Sequence, residues 1–322
     1  MENCHTLQFK GMGSQIKVWL QHDNEARAHQ LLRQTVRLFS LAETRFSRFI
    51  SYSELTELNN HSGRWVQVSD QMFEIICRAI ALAHETDGLF DPTQLRALEQ
   101  MGYGRSFTNF APNAQTLHPK QAEMTYQDIE LDPLNQRIIA PNGLWLDFGG
   151  IGKGFTSQKA VSFLQEYGPC LIDAGGDLTA GDAPEGLAGW PVAIASPGQG
   201  EQPDIAKLFI ANQTLATSGV DFRHWEQNGN HRHHIIDPRT AVSAQTDTLS
   251  VSVIAHDACA AQAWATAGLV VGFEAGFEML TAVDLQALLV HKEHHLLITP
   301  KLQAQVQLLE HSQHSLEHLS RI

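Results

Sequence analysis

The stretch Asp147-Phe148-Gly149-Gly150-Ile151-Gly152-Lys153-Gly154 limits what this chain can fold into more than any other. Four glycines within six residues let the backbone take torsions and close approaches that side chains block. An apolar run, Leu144-Trp145-Leu146, precedes it, and Phe155, Ala160, Val161, Phe163 and Leu164 follow at helical spacing. The pattern predicts a strand, a glycine turn and a helix running to Tyr167. A helix N-terminus presents free N–H groups and the positive end of its dipole, which favour an anion such as phosphate. Lys153 adds a mobile positive charge. Two local readings stand: a nucleotide-phosphate cradle, or tight packing of strand on helix with no ligand. Both standard phosphate patterns fit poorly, because Gly154 and Phe155 follow Lys153 where Ser or Thr would stand, and no proper G-x-G-x-x-G occurs.

Around this stretch, periodicity predicts strands on both sides of Gly11-Met12-Gly13 and a long amphipathic helix from Glu25 to Phe46. Ser53 is placed to cap a short helix carrying Leu55 and Leu58. A second long helix is expected from Asp70 to Thr86, ending at Asp87-Gly88. Gly104 to Lys120 reads as a polar loop, and Met124 to Ala140 as a strand pair turning near Asp132-Pro133. Leu171 to Leu178 is a buried strand with a Gly-Gly turn. Trp190–Ala195, Ile205–Ile210 and Thr214–Thr217 are expected as one meander, and Ser218 to Asn230 as a loop. His234-Ile235-Ile236-Asp237-Pro238 reads as a short strand entering a turn. A strand from Leu249 to Ala255, helices from Asp257 to Val271 and Glu274 to Ala282, and two closing strands follow. Strands and helices come in mixed blocks, which favours an α+β fold over a doubly wound sheet. One domain is expected over residues 1–303, with a polar tail, helical or disordered, over 304–322.

The net charge of -13 argues against bulk binding to nucleic acid or anionic membranes. No stretch approaches the roughly 20 apolar residues of a membrane span. The start, Met1-Glu2-Asn3-Cys4-His5, lacks the pattern of a secretory leader, and four scattered cysteines form no CxxC pair. The expectation is a reduced, cytoplasmic protein with Cys77, Cys170 and Cys259 in the core.

Five places hold residues that can carry chemistry. Thr217-Ser218-Gly219 brings two hydroxyls to a strand end. His233 to Thr240 places histidine and aspartate on a strand that turns at proline. Gly88 to Thr93 offers the Asp91 carboxylate in an apolar frame. Lys153 is the fourth, and Gln262 with Thr266, four apart on one helix face, the fifth. Each also has an ordinary structural explanation: a hydrogen-bonded strand histidine, Asp-Pro turns, or a solvent-facing helix side. The cluster His224, His231, His233 and His234 matches no zinc spacing.

In chain order these motifs resemble the ApbE family, the FAD:protein FMN transferases. The resemblance rests on Gly11-Met12-Gly13-Ser14; Ser53-Glu54-Leu55 with Leu58-Asn59; Thr86 to Thr93; Gly102-Tyr103; Asp147 to Gly154; Ala174-Gly175-Gly176-Asp177; Ala216 to Gly219; His234 to Thr240; Ser250 to Val253; and Ala263 to Gly272. It spans roughly residues 7 to 300, and ten motifs in order make chance a poor explanation. It implies an ApbE-like α+β fold with mixed or antiparallel sheets flanked by helices. It also implies that FAD is the substrate, that Mg²⁺ assists, and that FMN is joined by a phosphoester to a Thr or Ser of an acceptor flavoprotein while AMP leaves. By the same resemblance Met12, Phe49, Leu89, Phe90, Asp91, Gly149, Lys153, Ser218 and Ile236 bind the flavin nucleotide. His234 acts as general base or covalent carrier, beside Lys153 and Asp91 as catalytic groups. Gly152, Gln262 and Thr266 hold the metal. One departure stands out: the family's A-D-A-L-A-T reads Ala261-Gln262-Ala263-Trp264-Ala265-Thr266 here. A glutamine oxygen brings no charge to a hard cation, so weaker Mg²⁺ binding is expected, with Asp257 a nearby substitute. The alternatives are a non-catalytic FAD-binding homologue and an FAD pyrophosphatase.

Overall fold

The computed structural model describes residues 3–103, 124–198, 203–221, 223–227 and 229–309. The chain divides into two compact units. The first comprises residues 1–39, 153–222 and 246–322; the second comprises 40–152 and 223–245.

The first unit is built on an eight-stranded sheet. Its order is Cys4–Gly11, Ser14–Gln21, Cys170–Ala174, Leu178–Ala180, Thr214–Gly219, Thr248–Ala255, Gln286–His291 and Leu296–Ile298. Every neighbouring pair is antiparallel. The first hairpin turns at Met12 and Gly13, which take φ of 51° and 69°. Two successive positive φ values match the twist of the flanking strands, and glycine bears the second at no steric cost. Gly175 and Gly176 turn the third strand into the fourth in the same way, at φ of 70° and 97°. Gly175 is also needed for space, because a Cβ there would come within 2.8 Å of Ser14 Oγ.

The first part of the helix Glu25–Phe46 sets Ala28, Leu31, Leu32 and Phe39 against Ile16, Val18, Leu20, Ile172 and Ala174, together with Ala160 and Leu164 of the glycine helix. A second core holds Trp190, Val192, Ile194, Leu208 and Ile210 with Leu215, Ile254, Leu288 and Val290. Burying each such side chain contributes about 1.5–3 kcal/mol. The alanine-rich helix Ala258–Val271 begins at Asp257, whose side chain accepts from the Cys259 and Ala260 amides. Asp257 is therefore a helix cap, a typical use of aspartate at that position.

Four sequence expectations change here. Asp204–Ile210 pairs with Trp190–Ala195 on one side and Gln307–Leu308 on the other in a separate three-stranded sheet, and Thr214–Gly219 joins the large one. The meander is thus split, and a piece of the tail is a strand. Residues 218–230, expected as loop, contain the end of Thr214–Gly219 and most of the hairpin His224–Gln227 with Asn230–His233. Leu144-Trp145-Leu146 forms no strand; Trp145 makes one parallel bridge to Gln94. The loop expected at 104–120 and the tail beyond residue 309 lie outside the described residues.

The second unit holds the helices Glu54–Asn60, Asp70–Glu85 and Leu95–Gln100 and three small sheets. Ser53 and Ser69 cap the first two through their hydroxyls. Its apolar cluster joins Ala97, Leu98, Met101 and Tyr103 to Trp225, Ile236 and Ala241. Trp225 stacks on Tyr103 at 5.6 Å and donates to the Met101 carbonyl at 2.9 Å.

Candidate functional site

The helix Gly152–Leu164 starts inside the glycine stretch, as the sequence predicts. Its first turn is not an open cradle. The Gly154 amide donates to Gln262 Oε1 at 2.9 Å. Lys153 Nζ donates to Asp177 Oδ2 at 2.8 Å and to the Ala174 carbonyl at 3.2 Å. The lysine is therefore a charge held in place by a carboxylate and a carbonyl rather than a mobile one. Gln262 Nε2 donates to the same Asp177 oxygen at 2.6 Å, and the Thr217 amide reaches Asp177 Oδ1 at 3.1 Å. Ser218 Oγ lies 3.1 Å from Thr266 Oγ1. Gln262 is 5% exposed and Asp177 6%, so Gln262 does not face solvent.

Asp177 is the centre of this cluster, and residue-by-residue reading of the sequence gives it no role. The signal is there: a carboxylate placed directly after a buried strand and two glycines, where the turn holds it against the sheet. The third strand ends beside it, and Asp173 Oδ1 accepts from the Gly176 amide at 2.8 Å. Burial raises the Asp173 carboxyl above the usual range. Gly154 is required where it stands: a Cβ would come within 2.5 Å of Gln262 Oε1 and 2.8 Å of the Ala258 carbonyl oxygen.

The donor set does not fit the Mg²⁺ that the resemblance implies on Gly152, Gln262 and Thr266. A hard divalent cation takes charged oxygens in an octahedral shell. Gln262 Oε1 is neutral and already accepts from an amide, the Thr266 hydroxyl is neutral and bonded to Ser218, and the adjoining carboxylate is paired with an ammonium. Asp257 is no substitute, since its side chain is engaged in its helix cap. Among the described residues, His291, Glu293 and His295 are a set of His, Cys, Asp or Glu donors close enough to share a metal, within 4.8 Å of one another at a hairpin turn. There the His291 Nδ1 already accepts from the Glu293 amide.

In the second unit, Asp147 pairs with Arg48 at 3.1 Å, the two side chains 15% and 7% exposed. Arg48 also donates to the Tyr103 carbonyl and lies 4.4 Å from the ring of Phe49, which is 45% exposed. Sequence reading misses Arg48 because its partner lies far along the chain. Asp147 Oδ2 accepts from the Gly149 amide, and a Cβ on Gly150 would come within 3.1 Å of the Phe90 ring. Asp91 Oδ1 accepts from the Thr93 amide and hydroxyl at 2.8 and 2.6 Å, and Oδ2 from Gln94 at 2.8 Å. Burial nevertheless pushes the Asp91 carboxyl up, against those hydrogen bonds. Leu89 is half-buried beside it, and Ile236 is in the apolar cluster.

His234 is half-buried, and its amide donates to the Arg223 carbonyl at 3.2 Å. That bond sets the bend between the Asn230–His233 and Ile236–Asp237 strands. The neighbouring His233 has the structural role that a strand histidine can take. Its Nδ1 accepts from the Ile235 amide and its Nε2 pairs with the Ala244 carbonyl. Asp237 forms a two-point pair with Arg239, at 2.9 Å to each nitrogen.

These features first define a class: an α+β protein whose antiparallel sheet holds a buried lysine–aspartate–glutamine cluster at the head of a glycine-start helix. The sequence pattern of the ApbE family matches residues 12–289, and the chain belongs to that family. An FAD:protein FMN transferase of Klebsiella pneumoniae (strain 342) is 28% identical over 296 residues, 89% of each chain. One from Treponema pallidum (strain Nichols) is 30% identical over 276 residues, covering 79% of this chain and 75% of that one. The crystal structure of the ApbE protein of Thermotoga maritima has a TM-score of 0.84 at 25% identity, covering 94% of this chain and 98% of its own. The apo flavinyl transferase ApbE of Pseudomonas stutzeri shares the fold with a TM-score of 0.80 at 21% identity, covering 94% and 96%.

Proposed function

We propose that this chain is an FAD:protein FMN transferase. The observation that carries the reading is the family match across residues 12–289, in a chain whose buried polar groups converge on the first turn of the glycine helix. In the proposed reaction, the hydroxyl oxygen of an acceptor Thr or Ser attacks the FMN phosphorus of FAD. The bridging P–O bond breaks, and AMP leaves with the bridging oxygen. Such a transfer needs positioning and charge neutralisation more than covalent chemistry.

In the first unit, Lys153 is the group assigned to the diphosphate, with Met12 and Ser218 as further nucleotide contacts. In the second, Phe49 offers an exposed aromatic face for ring stacking, and Leu89, Phe90, Asp91, Gly149 and Ile236 complete the assigned set. His234 takes the acceptor proton as general base or carries FMN itself. The Mg²⁺ dependence implied by the resemblance finds only neutral oxygens at Gln262 and Thr266, each hydrogen-bonded within the protein. The acceptor is assigned as a cytoplasmic flavoprotein with a Thr or Ser flavinylation site. Cysteines that form no disulfide suit a reducing compartment, and no helix among the described residues is long and apolar enough to cross a membrane.

The test is mass spectrometry of a candidate acceptor incubated with FAD. A mass gain equal to FMN as a phosphoester, with AMP released one for one, is expected. Free FMN and AMP without acceptor would replace the reading with an FAD pyrophosphatase. A second reading, an FAD-binding protein without transfer, is favoured by one observation, the locked Gln262 side chain. FAD bound intact, with no product in any condition, would select it.

A further inference from the structure

Charge around Asp177 decides what the cluster accepts. The hydrogen-bonded core is one carboxylate, one ammonium and one neutral amide, with the Asp173 carboxyl near enough to interact with both charges. Both ends of Gln262 are used: Nε2 donates to the carboxylate at 2.6 Å and Oε1 accepts from the Gly154 amide at 2.9 Å. The opposite amide orientation would set an N–H₂ group against an N–H and an oxygen against a carboxylate, so the chemistry leaves one choice. A divalent cation on Gln262 would meet a neutral oxygen that already accepts from the Gly154 amide, and would gain no charge from it. It would also sit beside an ammonium that already holds the carboxylate. Aspartate at this position would reverse the balance. Two carboxylates would share one lysine, and the excess negative charge would draw in a cation or a proton.

We infer that this chain handles the flavin diphosphate without a divalent cation at Gln262 and Thr266, and that Gln262 is the residue that keeps this position metal-free. Lys153, held by Asp177, is the positive charge available to the diphosphate instead. The role given to Lys153 rests on the transferase reading above; the metal-free statement does not.

Two measurements on the full chain test this. The first is thermal melting with Mg²⁺ or with EDTA and no FAD present. The wild type is expected to melt at the same temperature in both, while Gln262→Asp gains stability only with Mg²⁺. The second is calorimetric FAD binding. The wild-type Kd should agree within about twofold between Mg²⁺ and EDTA, whereas Gln262→Asp should bind about tenfold more tightly with Mg²⁺. If Gln262→Asp fails to fold, Gln262→Glu takes its place, and the wild-type arms stand alone. A Mg²⁺-dependent rise in wild-type melting temperature that Thr266→Val removes would overturn the inference. Absence of FAD binding in every condition would remove the transferase reading, and the FAD-free melting arm would still decide the metal question.

Discussion

Removing the carboxylate of Asp177 should destabilise the protein in a way that a second substitution partly repairs. Lys153 Nζ and Asp177 Oδ2 are 2.8 Å apart, with side chains 16% and 8% exposed. At an effective dielectric of about 20, unit charges at this separation attract by about 6 kcal/mol. Desolvation takes back most of that, so the pair contributes little net stability. Breaking it is another matter, because an orphaned buried charge costs about 3–5 kcal/mol. In Asp177→Ala, Lys153 keeps the Ala174 carbonyl at 3.2 Å and some solvent. The lower part of the range applies, about 3–4 kcal/mol including the stranded Thr217 and Gln262 donors. In Lys153→Met, Asp177 keeps those two donors, so the cost is about 2 kcal/mol. The double variant has no orphaned charge and should fall short of the sum by about 2 kcal/mol or more. Urea unfolding followed by circular dichroism gives all four stabilities. Additivity within about 0.5 kcal/mol would refute the account of a coupled, desolvated pair.

Three further outcomes follow from other sites. Gly154→Ala should cost about 2 kcal/mol, because overpacking against Gln262 and the Ala258 carbonyl exceeds the roughly 0.5–1 kcal/mol that alanine gains over glycine in a helix; a variant as stable as wild type in urea would count against the close approach. Burial holds the Asp91 carboxyl above its ordinary value, so its folded pKa exceeds the unfolded one. That contribution is fully present below the unfolded pKa and is lost as pH rises through the folded pKa. Asp91→Asn should therefore gain stability relative to wild type as pH rises from about 4 toward 7, read from melting temperatures across that range; a flat or falling difference refutes it. Burial pushes the Cys170 thiol up to about 12, so an aromatic disulfide reagent applied to the native protein at mildly alkaline pH should not label it. Cys170→Ala should leave the labelling stoichiometry unchanged, and a drop of one thiol would contradict its burial.

The helices are the most legible part of the chain. Glu25–Phe46 falls on its predicted limits, and Ser53 caps its helix as expected because capping is a matter of neighbouring residues. Strand partners are less legible. Alternation says that Trp190–Ala195 and Thr214–Gly219 are extended, but the partner of each depends on distant backbone. Leu144-Trp145-Leu146 shows the same limit, since a short apolar run can line a core without joining a sheet.

The glycine stretch shows the division most clearly. Its glycines and the apolar spacing after them are enough to require a tight turn into a helix, because backbone freedom and periodicity are local properties. They also allow two opposite readings of the turn, open cradle or packed corner. The choice lies with Gln262, 108 positions from Gly154 and 85 from Asp177. Antiparallel strand pairing brings Thr217 and Asp177 together, and the alanine-rich helix carries Gln262 to both Asp177 and Gly154. Hydrogen bonding in a buried site then pairs the polar groups that the fold has placed there. The sequence alone determined which polar groups exist and that a helix begins beside them. Only tertiary structure decided that they bond to one another, leaving a mutually hydrogen-bonded cluster where the family resemblance had suggested a metal.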